Sequence, residues 1–88
     1  MPTTNSAVAV GTTAVEVATS DTQPKYVYLQ DGDFDGAKET FVGGSSVTTS
    51  NGIKLSKTNV MVFQLFEYDE LFAISSGAGG SVRVVEIA

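Results

Sequence analysis

The sequence predicts an all-β domain, a small antiparallel β-sandwich or partly open barrel of about seven short strands. Apolar residues recur with a period of two and show no sustained helical spacing. The stretches that alternate are rich in Val, Ile, Phe, Tyr and Thr, which suit a pleated, half-buried surface. Between them lie clusters of Gly, Asn, Asp, Pro and Ser, the residues that tight reversals require.

Taken in order, the expected strands are Ala7–Val10, Thr13–Ala18, Lys25–Gln30, Lys38–Val42, Val60–Leu65, Glu70–Ile74 and Ser81–Ile87. Residues 1–5 hold no apolar anchor beyond Met1 and read as a flexible N-terminal arm, leaving residues 6–88 as a single β domain. Alternation assigns faces within the strands. Val15 and Val17 oppose Ala14, Glu16 and Ala18; Val27 and Leu29 oppose Tyr26, Tyr28 and Gln30; Val82 and Val84 oppose Arg83, Val85 and Ile87. Two strands thus carry large apolar or aromatic groups on both faces, whereas a solvated sheet keeps one face polar. Either a loop covers one end of a twisted barrel edge, or Tyr26, Tyr28, Val85 and Ile87 form a contact surface. The segment 43–59 is long for a β connection. Val47, Ile53 and Leu55 can pin it as a lid, Asn51-Gly52 marks a hairpin of Val47–Ser50 with Gly52–Leu55, and the rim Thr48, Thr49, Ser50 and Asn51 faces solvent or a partner.

Eighty-eight residues make one small domain. A chain of this size hides about 60–65% of its unfolded surface, so its stability margin is thin without partners. No cysteine is present to form a disulfide or thiolate site. The longest apolar stretch, Val60 to Phe66, falls far short of the about 20 residues that cross a bilayer as a helix. The opening residues lack the basic start and apolar block of a secretion signal, so a soluble protein made where it is used is expected. Net charge is −5, from ten acidic and five basic residues, and the basic residues are scattered. Such a field repels a phosphate backbone, which argues against direct nucleic-acid binding.

Few constellations point to chemistry. Asp31-Gly-Asp-Phe-Asp-Gly36 places carboxylates at alternate positions before a glycine, like the start of a calcium loop, and Glu39 at the ninth position can add a ligand. The twelfth position is Val42 instead of a bidentate Glu, and no helices flank the loop, so an acidic hairpin loop is the plainer reading of Asp31, Asp33, Asp35 and Glu39. Gly77-Ala-Gly-Gly-Ser81 leads into a strand and not a helix, which removes the basis of a phosphate loop. Histidine and cysteine are absent, no serine sits in a strand–turn–helix elbow, and Glu67, Asp69 and Glu70 crowd one turn. No enzymatic activity and no cofactor are expected.

The run Val42-Gly-Gly-Ser-Ser-Val-Thr-Thr-Ser-Asn-Gly-Ile-Lys-Leu55 is followed by Glu70-Leu-Phe-Ala-Ile-Ser75 and Val82-Arg-Val-Val-Glu-Ile87. With the opening Val8-Ala-Val-Gly-Thr-Thr-Ala-Val15, this arrangement resembles a family of small tailed-phage virion proteins. Its pattern is V-G-G-x-x-V-T-T-x-N-G-x-x-L, then an L-x-A-I strand and a terminal V-x-V-x-E strand. The acidic loop departs from that pattern, which has a shorter connection there. The resemblance implies a structural viral protein, made in the host cytoplasm and placed on the capsid exterior as a decoration (cement) protein. Its partners would be the major capsid protein or other virion proteins, with no membrane involved. Contact residues on that reading are Tyr26, Tyr28, Thr48, Thr49, Asn51, Val85 and Ile87, and a homotrimer suits the local three-fold positions of a shell. The alternatives are a head-fibre, neck or tail component, or a small carbohydrate- or calcium-binding β module using the acidic loop (Asp31, Asp33, Asp35 and Glu39) and the tyrosines Tyr26, Tyr28 and Tyr68.

Overall fold

A computed structural model describes residues 3–32 and 38–87. Among these residues eight strands form in chain order: β1 (Thr3–Val10), β2 (Val15–Thr19), β3 (Lys25–Asp31), β4 (Thr40–Gly43), β5 (Ile53–Lys54), β6 (Met61–Leu65), β7 (Glu70–Ser75) and β8 (Gly80–Ile87). They make two four-stranded sheets, β1-β8-β3-β6 (sheet A) and β2-β7-β4-β5 (sheet B). All pairings are antiparallel. The protein is therefore a small all-β sandwich, and every connection except β4–β5 passes from one sheet to the other.

The core lies between the sheets and is built from alternate residues of each strand. Sheet A supplies Val10, Val27, Leu29, Leu65, Val82 and Val84; sheet B and its loops supply Val17, Ala18, Val42, Leu55, Leu71 and Ala73. Val27, Leu29, Val82 and Val84 are at most 1% exposed. Burying each such side chain contributes about 1.5–3 kcal/mol, so the central strands β3 and β8 carry much of the driving force.

Four details differ from the sequence expectation. β1 begins at Thr3 and not Ala7, because Thr3, Thr4 and Asn5 continue the ladder opposite Ile87, Glu86 and Val85. Their side chains are exposed, so apolar periodicity carries no trace of this pairing. In β2 a bulge between Glu16 and Ala18 puts Ala18 opposite Leu71, so Ala18 turns inward beside Val17 instead of opposing it. Ile53-Lys54 pairs with Phe41 and Val42 of β4, and not with the segment 47–50. That segment is held as a turn of its own: the Thr48 amide donates to Asn51 Oδ1 at 2.7 Å, and the Gly52 amide donates to Thr48 O at 3.0 Å. Gly52 is required there, since a Cβ would sit 2.7 Å from Val47 Cγ2 and 2.8 Å from Phe41 Cβ. Val47 and Leu55 are buried as anchors, but Ile53 is 56% exposed.

Among the described residues, one charged residue is fully buried. Asp31, at the end of β3, faces inward with 0% exposure. Lys57 meets it at 3.3 Å and also donates to the carbonyl of Lys38. The Asp31 amide donates to Ser56 O, and Gln30 Nε2 donates to Lys57 O at 2.9 Å. These contacts fix the end of β3 to the loop that precedes β6. Removing the cation from such a pair leaves a carboxylate in a dry site, which is far costlier than losing the pair's own attraction. Lys57→Met should therefore lower unfolding free energy by about 3 kcal/mol in urea titrations, the low end for a buried pair because the lysine is partly solvated. Adding Asp31→Asn to that variant should recover part of the loss.

Candidate functional site

The register of sheet A assembles its outer face. Ile87 lies between Thr3 and Tyr26, and Tyr26 lies opposite Gln64. In the next row Val85 lies between Asn5 and Tyr28, and Tyr28 lies opposite Val62. Arg83 follows, between Ala7 and Gln30. Side chains directly opposite one another on a sheet are nearest neighbours, so Ile87, Val85, Tyr26, Tyr28 and Val62 form one continuous patch. Tyr26 and Val62 are 47% and 54% exposed; Tyr28, Val85 and Ile87 are half-buried. A shallow recess of about 300 Å³ borders the patch, lined by Asn5, Ser6, Ala7, Arg83, Val84 and Val85.

Charge sharpens the contrast with the rest of the molecule. Among the described residues, this face carries no carboxylate and one cation, Arg83. Glu86 points to the other side of β8, where it pairs with Lys25 at 3.0 Å. Tyrosine, aliphatic groups and one arginine, with no carboxylate among the described residues, are residue types in which contact surfaces are enriched. The outer face of sheet B differs. Its half-buried Phe41, Phe72 and Ile74 are bordered by Glu16 opposite Phe72 and Lys54 opposite Phe41.

Tyr26, Tyr28, Val85 and Ile87 are thus brought together from two strands. Thr48, Thr49 and Asn51 are exposed but belong to the loop after β4 in the other sheet. Thr48 Oγ1 accepts the amides of Ser50 and Asn51, and Asn51 Oδ1 accepts that of Thr48, so both side chains serve the turn. Tyr68 is 67% exposed with φ 61° in the turn between β6 and β7, off the face of sheet A. Asp69 shapes that turn by accepting the Phe66 amide at 2.7 Å, while Ser20 bridges it to β2 through Phe66 O and the Asp69 amide.

Of the proposed calcium ligands, Asp33 and Asp35 lie outside the described residues. Asp31 is engaged by Lys57, and Glu39 pairs with Lys54 at 2.8 Å, which holds its carboxyl below the usual range. Among the described residues no group of three acidic side chains gathers as a metal site.

Val62 is a member of the face that the sequence did not single out; Arg83 was placed on it by alternation but not among the contact residues. Met61, Val62, Phe63 and Leu65 are all apolar, so hydrophobicity alone leaves the parity of β6 open. Gln64 was the available signal, since the residue two positions before it must share its outer side.

The charges bordering sheet B generate a pH effect. Glu16 titrates above its ordinary value of 4.5, because it hydrogen-bonds Glu70, is slightly desolvated, and sits in the field of Glu70. The folded chain thus holds this proton more tightly than the unfolded chain. Ionising Glu16 costs stability as pH rises through that range, and the cost is relieved as pH falls. Glu16→Gln should raise Tm near neutral pH by about 1–3 °C, the scale of exposed charge pairs, and give no gain at acid pH. Thermal unfolding of both proteins across that range checks it.

Comparison with family models, with curated proteins and with solved structures returned no match to this chain.

Proposed function

We propose that this chain is a structural protein of a tailed-phage virion, most simply a decoration protein that buries the outer face of sheet A against the capsid exterior. The carrying observation is the patch of Tyr26, Tyr28, Val62, Val85 and Ile87, free of carboxylates among the described residues, on a chain of net charge −5. The likeness of its turn and strand spacings to small virion proteins directs the proposal to a shell. A cement protein stabilises by contact area and needs no reacting group, which agrees with a chain that lacks histidine and cysteine.

Area sets the scale of the contact. Four strands about 4.8 Å apart and about 22 Å long give a face of roughly 400 Å². A standard interface takes about 800 Å² from each partner, so the face supplies about half of what independent tight binding needs. Surface of the chain beyond this face, buried on a second shell subunit or on a neighbouring copy of the chain, makes up the difference. That requirement matches a protein that sits across subunit boundaries.

Mass spectrometry of purified parent virions should find the chain at roughly one copy per shell subunit or per trimer. Absence from the particle overturns the proposal, and a few copies per particle moves the chain to the neck, tail or head fibres. On particles stripped of the protein, added Tyr28→Lys should rebind at least about 30-fold more weakly than the unmodified chain, the size of a central aromatic contact. Equal rebinding by the variant would remove the face from the account.

A further inference from the structure

β1 is the outermost strand of sheet A, so one row of its backbone N–H and C=O groups has no ladder partner among the described residues. Thr3, Thr4, Asn5, Ser6, Ala7 and Ala9 are exposed. Sheets guard such edges with charge, proline, bulges or shortness, because an open row of donors and acceptors is a template for another strand. Both edges of sheet B use these devices. β2 carries Glu16 and a bulge, and β5 is two residues long and includes Lys54. The opposite edge of sheet A, β6, runs for five residues and projects the bulkier Val62 and Gln64. β1 runs for eight residues in unbroken register, with no charge, proline or bulge.

We infer that β1 is a pairing edge and that its occupant is a second copy of this chain, joined antiparallel about a two-fold axis. Two identical antiparallel strands are self-complementary, so the pairing closes at a dimer and joins two four-stranded sheets into one. Keeping both outer faces on the same side sets odd-numbered residues opposite odd-numbered ones. Thr3, Asn5, Ala7 and Ala9 then meet their counterparts, and these small side chains admit close approach. Electrostatics selects the same edge. Two copies of charge −5 repel over most approaches, but neither β1 nor the face it borders carries a carboxylate among the described residues. The paired form presents the Tyr26–Tyr28 face twice on one continuous surface. This inference does not depend on the chain's being a virion protein.

Sedimentation velocity of the full chain, from low to hundreds of micromolar, tests it alongside three variants checked for unchanged β circular dichroism. The unmodified protein should shift from monomer to dimer. Asn5→Lys, which sets like charges across the edge, should weaken the dimer at least about tenfold. Gln64→Lys and Tyr28→Lys should dimerise as the unmodified chain does. Should Asn5→Lys fail to fold, Ala9→Lys places the charge at the other end of the strand. Three results overturn the inference: a monomer throughout the range, larger species that Gln64→Lys abolishes (β1 pairing on β6), or a dimer that Tyr28→Lys alone abolishes. Loss of particle binding in Tyr28→Lys with dimerisation intact separates this interface from the proposed docking face.

Discussion

The pairing of β3 with β8 fixes both surfaces of sheet A at once. Leu29 lies opposite Val84 and Tyr28 opposite Val85, so one register seals the core and composes the outer patch. A slip of one residue would send Val27 and Leu29 to solvent and drive Tyr26, Tyr28 and Gln30 into the space between the sheets. The buried side chains enforce the register, and the outer side chains follow from it. The patch is thus positioned by strands whose inner side chains are fully buried. Backbone in such a setting moves little on docking, so contact there costs little ordering entropy.

Size explains why an apolar outer face persists. A two-layer sandwich of this length has one core, and its outward residues gain nothing from burial within the chain. Selection for the isolated monomer favours polar groups at Tyr28, Val62 and Val85. Exclusion of every described carboxylate from the same face is a second, independent departure from that expectation, because the acids lie on turns, on sheet B, or on the inner side of strand ends. The two departures coincide on one surface. Both are what the proposed contact with another protein requires.

Much of this was legible in the sequence. The alternation in Lys25–Asp31 and Gly80–Ile87 gave the faces of both central strands, since large β-branched or leucine residues at one parity met tyrosine, arginine or glutamine at the other. What stayed hidden was non-local. Pairing of Thr3–Asn5 with Val85–Ile87 depends on backbone groups and leaves no hydrophobic trace. The bulge that turns Ala18 inward is a one-residue shift which an alanine, acceptable on either face, does not announce. Asn51-Gly52 was read as the reversal of a small hairpin, but Thr48 and Asn51 close a turn of their own and free Ile53-Lys54 to pair with β4. The absence of described carboxylates from the outer face emerges only when four strands from distant parts of the chain are set side by side.

The three tyrosines offer a direct test of whether the outer face of sheet A is the surface buried in the proposed assembly. Nitration of the free protein and of purified parent particles, with each tyrosine quantified by peptide mass spectrometry, compares access at each position. Tyr68, 67% exposed and off the face, gauges how well the reagent reaches the bound chain. Strong protection of Tyr26 and Tyr28 in the particle is the predicted result. Equal modification of both in the particle and in the free protein would contradict the account.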